Sequence, residues 1–361
     1  MGNGHVSAAN ALEAEAASRS VRVSNVDMLE MTPKPFRAWY AGGYEMLVRR
    51  NPGFWRHLYR SSDRPLLAFQ FQTLLDRIFC RGVAPLLADF RPDWVLCTHS
   101  LPQPALAALR ARYGFRMAVC VTDLHPHLMW LRGAPDRYFV PTDQTARLLA
   151  ARQPSARWRI VVSGMPVHFA FEPAAVPPSD PVVLVSSGGI GGGPVKAVVQ
   201  QLAKVGCRVI VAAGRNARLR KELQDAGLPP SVEILGHIPL QEMAVRMRQA
   251  SLLVGKPGGL TTFEALASGL PLVIYEPFVI PGQEEDNARF VIDAGIALSA
   301  ADLDSLSKTV REVLQGRDRL SAMRRAALSN AQPGATRRIV DSLAGDGKQA
   351  NGRETIASLA R

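Results

Sequence analysis

The 361 residues suffice for two domains of ordinary size, and 47% hydrophobic with 20% charged residues is a globular balance that excludes a disordered chain. A formal net charge of +12 calls for an anionic partner (nucleic acid, an acidic membrane surface or a phosphorylated substrate), yet no run of like charges resembles a nucleic-acid tail. No stretch of about 18 apolar residues is present to span a bilayer and no signal-peptide pattern opens the chain; the four cysteines lack CxxC spacing, which fits a reduced, cytosolic compartment.

The chain opens MGNGHVSAANALEAEA, a Gly-rich turn with His5 running into a helix. Such a turn normally follows a strand and presents backbone N–H groups to a ligand, but no strand stands in front of it. Short apolar, β-branched runs then alternate with helix-length segments: VRVSNV (21–26), DWVLCT (93–98), RMAVCVTD (116–123), RYFVP (137–141) and RIVVSG (159–164). Between the first two, Phe36, Trp39, Tyr40, Tyr44, Phe54, Trp55 and Tyr59 are interleaved with Lys and Arg, among them Arg49 and Arg50. That mixture suits either a helical pair packing into a core or a surface that dips into anionic headgroups. VTDLHPHLMW places Asp123, His125 and His127 after a buried strand, and His99 ends another; an i, i+2 pair of histidines on a loop does not imply a metal.

FEPAAVPPSDP (171–181) has the composition of a linker, after which the alternation restarts with VVLVSS, CRVIVAAG, VEILG, SLLVG and PLVIY. The pattern predicts two doubly wound α/β domains joined near residue 175, with a ligand at the carboxyl ends of the strands and in the cleft between domains. VVLVSSGGIGGGPVK runs a strand into Ser187, Gly188, Gly189, Gly191, Gly192 and Gly193 and then a helix, a turn that lets backbone approach a phosphate; it is neither a Walker loop nor a dinucleotide fingerprint. SLLVGKPGGLTTFEAL supplies a second such helix start, with N–H groups from Gly259 to Thr262, the hydroxyls of Thr261 and Thr262, Lys256 to offset charge, and Glu264 one turn on. Glu264 reads either as a ribose-diol acceptor or as compensation of the helix dipole. PGQEEDNA gathers Gln283, Glu284, Glu285, Asp286 and Asn287 at a further helix mouth, suited to sugar hydroxyls or to a solvated cap. Residues 345–361 read as a frayed helix or tail.

These motifs reach a family. VSSGGIGGG, GHIPLQEMAVRM, GKPGGLTTFEALASGLPLV and PGQEEDNA resemble the nucleotide-sugar half of GT-B glycosyltransferases, the type that includes the lipid-linked GlcNAc transferase of peptidoglycan synthesis. GNGHVSAANAL, DMLEMTPKPFRAWYAGGYEML, PDWVLCTHSLP, VCVTDLHPHLMW, YFVPTDQTARLL and VVSGMPVHFAF resemble monogalactosyldiacylglycerol synthases and processive diacylglycerol glucosyltransferases, the likeness running over about residues 2–320. The resemblance implies a GT-B fold of two Rossmann-like domains facing a central cleft: residues 1–172 for acceptor and membrane, 173–344 for the UDP-sugar, then the tail.

It implies an inverting transfer of a hexose from UDP-glucose or UDP-galactose to diacylglycerol, without metal or other cofactor, at the cytoplasmic face of a membrane whose anionic lipids balance the charge, with no part for nucleic acid. Ser187 to Gly193 and Gly258 to Thr262 would hold the diphosphate, Glu264 the ribose, His237 and Ile238 the uracil by their backbone, and Gln283 with Glu284 the sugar hydroxyls, with Lys256 and Asn287 also in the nucleotide-sugar site. His5 matches the family's candidate base, with Asp123 to orient it or a headgroup; Trp39, Tyr40, Arg49, Arg50, Trp55 and His125 fall to membrane and acceptor. A different lipid acceptor, such as a polyprenyl-linked sugar, and a UDP-sugar epimerase of the same architecture remain the alternatives. The family's first strand should precede GNGH and lie centrally in a 3-2-1-4-5 sheet, so the expectation is that Met1 is an internal residue or the chain truncated, leaving VRVSNV and DWVLCT each short of a partner.

Overall fold

The computed structural model describes residues 4–63, 67–174, 180–188, 193–345 and 355–360. In chain order the elements are α1 (Gly4–Ala17), β1 (Arg22–Asp27), α2 (Lys34–Arg50), α3 (Pro52–Ser62), α4 (Leu67–Phe79), α5 (Ala84–Phe90), β2 (Trp94–Cys97), α6 (Gln103–Tyr113), β3 (Arg116–Cys120), β4 (Arg137–Val140), α7 (Asp143–Arg152) and β5 (Ile160–Val162). There follow β6 (Val182–Ser186), α8 (Val195–Leu202), β7 (Arg208–Ala212), α9 (Ala217–Gln224), β8 (Val232–Leu235), α10 (Leu240–Gln249), β9 (Leu252–Gly255), α11 (Gly259–Ala267), β10 (Leu272–Tyr275), α12 (Glu285–Asp293), β11 (Ala297–Ala300), α13 (Leu303–Gln315) and α14 (Arg317–Asn330). Two last elements, α15 (Ala335–Ala344) and β12 (Thr355–Ala360), end the chain.

Two compact units result, but their boundaries correct the expected ones. One unit holds residues 4–168 together with 334–361, and the other holds 169–333. The expected division at 172/173 falls four residues late, and residues 334–345 and 355–360 belong with residues 4–168. The reason is packing: Ile339, Val340 and Leu343 of α15 share a core with Leu12 and Ala16 of α1, while Arg137 donates to the Ser342 carbonyl at 2.7 Å and Arg338 to that of Ser163 at 2.9 Å.

The first unit's sheet is all parallel, in the order β1-β12-β2-β3-β4-β5. Among the described residues no strand precedes α1; the central slot expected for one is filled by residues 355–360, Arg22 aligning with Thr355 and Cys97 with Leu359. Residues 355–360 of the segment read as a tail therefore form a strand, β1 and β2 both have partners, and one strand rather than two lies beyond the central one. Thr355, Ile356, Ala357, Ser358 and Leu359 are all buried. The slot demands this, because strands covered on both faces must hide their side chains in either direction.

The second unit's sheet runs β11-β10-β9-β6-β7-β8, also parallel throughout. This is the doubly wound order, with its switch point between β6 and β9, the place where such sheets bind ligands beyond the strands' carboxyl ends. The apolar strands β6, β7 and β9 pack against Val195, Val198, Val199 and Leu202 of α8, whose apolar positions recur at helical spacing. All four cysteines are buried and outside any disulfide, and burial pushes the Cys80 and Cys120 thiols up to about 12, so they serve as small apolar side chains.

Candidate functional site

In the second unit the carboxyl ends of β6 and β9 meet closely. A side chain on Gly255 would lie 2.4 Å from the Ser186 carbonyl oxygen, so only glycine lets the two strand ends run side by side. Gly188 turns the chain with φ +85°, and a Cβ there would stand 2.8 Å from Cε of Lys256. The lysine stem thus lies across the turn after β6. Gly189, Gly191 and Gly192, also assigned to this turn, lie outside the described residues.

Helix α11 begins after Gly258 with no side-chain cap, which leaves the N–H groups of Gly259, Leu260 and Thr261 directed out of its first turn. The Thr262 amide, expected among them, instead donates to the Gly258 carbonyl at 2.9 Å. Thr262 contributes through its side chain: its Oγ1 and the Oγ of Ser187 are buried and, among the described residues, have no hydrogen-bond partner. Buried hydroxyls without partners are costly, so these two are suited to a polar ligand.

Glu264 lies in the second turn of α11 and is buried, with no hydrogen bond to its carboxyl among the described residues. Burial raises its pKa from 4.5 to about 7. A carboxyl that only compensates a helix dipole sits exposed in the first turn, so that reading fails here. Lys256 is not a bare cation. Its Nζ lies 2.5 Å from Glu284, whose second oxygen accepts from the Ile280 amide at 2.9 Å. Asn287 donates to the Pro257 carbonyl at 3.0 Å, tying the start of α12 to the loop before α11. The structure therefore brings Ser187, Gly188, Lys256, Gly258, Thr262, Glu284 and Asn287 together, with Gly259, Thr261 and Glu264 on the helix that leaves that loop. Gln283 is half-buried beside Glu284, while His237, exposed, and Ile238, half-buried, stand at the carboxyl end of β8, on the same edge of the sheet.

In the first unit His5 occupies the first turn of α1. Its Nδ1 lies 2.8 Å from the Thr98 carbonyl oxygen and 3.0 Å from Thr122 Oγ1, and its own carbonyl accepts from Thr98 Oγ1 at 2.9 Å. Since a carbonyl only accepts, Nδ1 carries the hydrogen and Nε2 the basic lone pair. The His99 ring stands edge-on to it at 4.5 Å, and its Nδ1 accepts from the Leu101 amide, which leaves the hydrogen of a neutral His99 on Nε2.

Asp123, expected to orient His5 or a headgroup, makes its described hydrogen bond elsewhere. Its carboxylate accepts from the Trp130 indole at 2.8 Å, and that ring lies 6.1 Å from His5, so the acid acts on the wall of the site. His125 accepts from Arg152 at 3.1 Å. His127 is structural: it caps a turn through the Met129 amide, meets the Tyr59 carbonyl at 3.1 Å, and is held below its ordinary pKa by burial. Thr98, Thr122 and the buried Arg132–Asp76 pair, 2.5 Å apart, were not legible as site residues; Arg132 also reaches the Ser100 carbonyl at 3.4 Å and so ties α4 to the loop that carries His99. Burial pushes Asp76 up to about 6 against the pull of Arg132.

The aromatic segment divides between the two readings made of it. Phe36 is buried and stacks on Phe79 at 4.5 Å, and Trp55 packs on Tyr59, whereas Trp39 (65% exposed), Met46, Phe54, Leu58, Leu74 and Ile78 are exposed on α2, α3 and α4. Tyr40, half-buried, rests on Phe36; the side chains of Arg49 and Arg50 lie outside the described set. No described helix is long and apolar enough to cross a membrane, and the described residues hold no group of three or more metal-ligating side chains.

Residues 5–167 match the family model of monogalactosyldiacylglycerol (MGDG) synthase, and residues 195–330 that of glycosyl transferases group 1. The processive diacylglycerol β-glucosyltransferase of Bacillus cereus is 29% identical over 275 residues, covering 72% of this chain and 69% of that one. The chloroplastic monogalactosyldiacylglycerol synthase of Spinacia oleracea is 29% identical over 375 residues, 95% of this chain and 70% of its own. Among solved structures, MurG of Acinetobacter baumannii aligns over 95% of this chain and 96% of its own with TM-score 0.57 at 18% identity; a UDP-GlcNAc 2-epimerase of Neisseria meningitidis aligns over 78% and 83% with TM-score 0.55 at 14%. These structural likenesses establish the fold. The class is a two-domain GT-B glycosyltransferase. Within it, the chain is similar to monogalactosyldiacylglycerol synthases and processive diacylglycerol glucosyltransferases, through the family model matched by residues 5–167 and relatives 29% identical.

Proposed function

We propose that the protein moves a hexose from UDP-glucose or UDP-galactose to the primary hydroxyl of diacylglycerol, with inversion at the anomeric carbon. The observation that carries this reading is the histidine in the first turn of α1, its Nδ1 directed to the Thr98 carbonyl so that Nε2 is the base. In the reaction Nε2 takes the proton of the acceptor hydroxyl as its oxygen bonds to the anomeric carbon. The bond from that carbon to the diphosphate breaks, and UDP leaves with the electron pair. Its charge is met by the uncapped N–H groups of α11 and the hydroxyls of Ser187 and Thr262, with Lys256 as the nearby cation, so the proposed chemistry is metal-free. Glu264 accepts from the ribose diol, the backbone at His237 and Ile238 receives the uracil, and Gln283 and Glu284 hold the sugar.

The acceptor is a lipid, so the enzyme works at a bilayer surface. The exposed Trp39, Met46, Phe54, Leu58, Leu74 and Ile78, among the arginines of α2 to α4, are the docking face on the cytoplasmic leaflet, and anionic headgroups balance the net +12. Residues 4–168 are the acceptor and membrane unit and 169–333 the UDP-sugar unit.

The purified protein, given UDP-glucose or UDP-galactose separately with diacylglycerol in detergent micelles, should yield a lipid heavier by one hexose or more, read by mass spectrometry. Interconversion of the UDP-sugar without lipid product would replace this reading with an epimerase, and product formed only on another lipid would move the acceptor.

A further inference from the structure

The slot between β1 and β2 is filled by a strand from the far end of the chain, and that strand reaches the site. The Leu359 carbonyl accepts from the Thr98 amide at 3.1 Å and lies 3.4 Å from Thr98 Oγ1. Thr98 is the same residue whose carbonyl faces His5 Nδ1 and whose hydroxyl donates to the His5 carbonyl. One buried threonine therefore transmits the position of β12 to the imidazole. At the other end Asp93 clamps the strand, its carboxylate accepting from the Thr355 amide at 2.9 Å and lying 3.0 Å from the Thr355 hydroxyl.

Between these two anchors the fit is poor. Ser358 is 1% exposed and its Oγ has no partner among the described residues. A small, largely apolar cavity adjoins it, with Leu12, Glu13, Val23, Leu96, Ile356 and Ser358 in its lining. A central strand of a parallel sheet ordinarily carries a continuous apolar run, whereas TIASLA places a hydroxyl and a void where a larger aliphatic side chain belongs. A strand anchored at its ends but poorly packed in its middle opens more readily than the strands around it.

We propose that β12 is an exchangeable strand that positions His5: docked, it fixes Thr98 and through it the imidazole; released, it leaves β1 and β2 without their shared neighbour and the His5 turn unsupported. The strand-exchange part stands on the sheet alone, and the catalytic consequence rests on the reading of His5 as the base.

The test uses the full chain with Ser358→Asp, which puts a charge into the slot, and Ser358→Val, which fills the void. In Ser358→Asp, amide hydrogen exchange in β1 and β2 should rise about tenfold or more while β4 and β5 of the same sheet keep their protection, and the His5 ring resonance should move towards that of a solvent-exposed histidine. A synthetic peptide of residues 355–361 should restore both, and kcat should fall and recover in parallel with KM for the UDP-sugar unchanged. Ser358→Val should slow exchange in β1 and β2. Unchanged exchange in Ser358→Asp overturns the proposal, as does equal loss of protection in β4 and β5, which would make β12 integral rather than exchangeable. Faster exchange with an unmoved His5 resonance overturns the positioning role. These readouts need no turnover, so a protein that shows all of them but transfers no sugar refutes the functional reading alone.

Discussion

His5 Nδ1 lies 2.8 Å from the carbonyl oxygen of Thr98, a backbone atom that no side-chain change removes. The contact fixes the tautomer, and with it the ring nitrogen able to accept a proton. His5→Ala should lower kcat by about 10²- to 10⁴-fold, the span typical of a lost general base, with UDP affinity unchanged by calorimetry. Thr122→Val removes the second contact to Nδ1, at 3.0 Å, and should give a smaller loss confined to kcat. An equal loss of UDP affinity in His5→Ala would place the residue on the donor instead.

Much of this was legible in the sequence, for identifiable reasons. Runs such as VVLVSS and SLLVG are long and apolar enough to declare buried strands, and their Gly-rich ends mark where backbone approaches a ligand. β11 (ALSA) and β12 (TIASLA) escaped because small and hydroxylated residues give neither alternation nor an apolar run. The first unit's sheet order followed from that miss: a chain read without β12 has an empty centre. His5 can be named from the sequence as a candidate, but not what holds it. Thr98 and Thr122 act through a backbone carbonyl and a hydroxyl on two other strand ends, and sequence spacing does not reveal such contacts. Asp123 was the plausible orienter by residue type, yet Trp130 takes its carboxylate seven positions on.

Glu264 sets opposite trends in stability and binding. Its pKa rises from 4.5 unfolded to about 7 folded because burial disfavours the charge. The fold therefore holds the proton more tightly, and this contribution is complete below about pH 4.5 and lost as pH rises through 7. Glu264→Gln escapes that loss. It should match the parent in denaturant melts below about pH 4 and exceed it by on the order of 1–3 kcal/mol at about pH 8. UDP binding should run the other way, weakening about tenfold or more in the variant as the charged acceptor is lost, and weakening in the parent as pH drops below 7. A variant with no gain at pH 8 would mean that the carboxyl is stabilised by a group other than the ligand.

The Arg132–Asp76 pair makes a separate pH prediction. Both side chains are almost fully buried, and Asp76 titrates near 6, raised by burial although Arg132 pulls it down. Arg132→Met removes the pull and leaves the acid alone. At pH 8, where it must ionise or take up a proton, the cost should be about 3–5 kcal/mol; at pH 5, where it is already protonated, the cost should be clearly smaller. Replacing both partners with apolar residues should recover most of the loss. The single variant should also lower turnover, because Arg132 holds the Ser100 carbonyl beside His99. A cost independent of pH would show that packing of the guanidinium, not its charge, supports α4.

Docking on a bilayer should separate into an apolar and an electrostatic part. Trp39 and Phe54 are 65% and 51% exposed, and moving such side chains out of water is worth about 1.5–3 kcal/mol each when burial is complete. Partial insertion realises a fraction of that, so Trp39→Ser with Phe54→Ser together should weaken vesicle binding by roughly 10- to 100-fold. The charge acts independently, each nearby cation contributing about 1 kcal/mol at an anionic surface and less as salt screens it. Co-sedimentation with vesicles containing acidic lipid should therefore fall steeply between low and high salt in both proteins, the double variant lying below the parent at every salt concentration. Binding to neutral vesicles should be weak, insensitive to salt and still reduced by the two substitutions. Equal binding of parent and variant would mean that α2 and α3 face away from the bilayer and that another surface carries the contact, whereas equal binding to neutral and acidic vesicles would remove the role of the +12 charge while leaving the aromatic one in place.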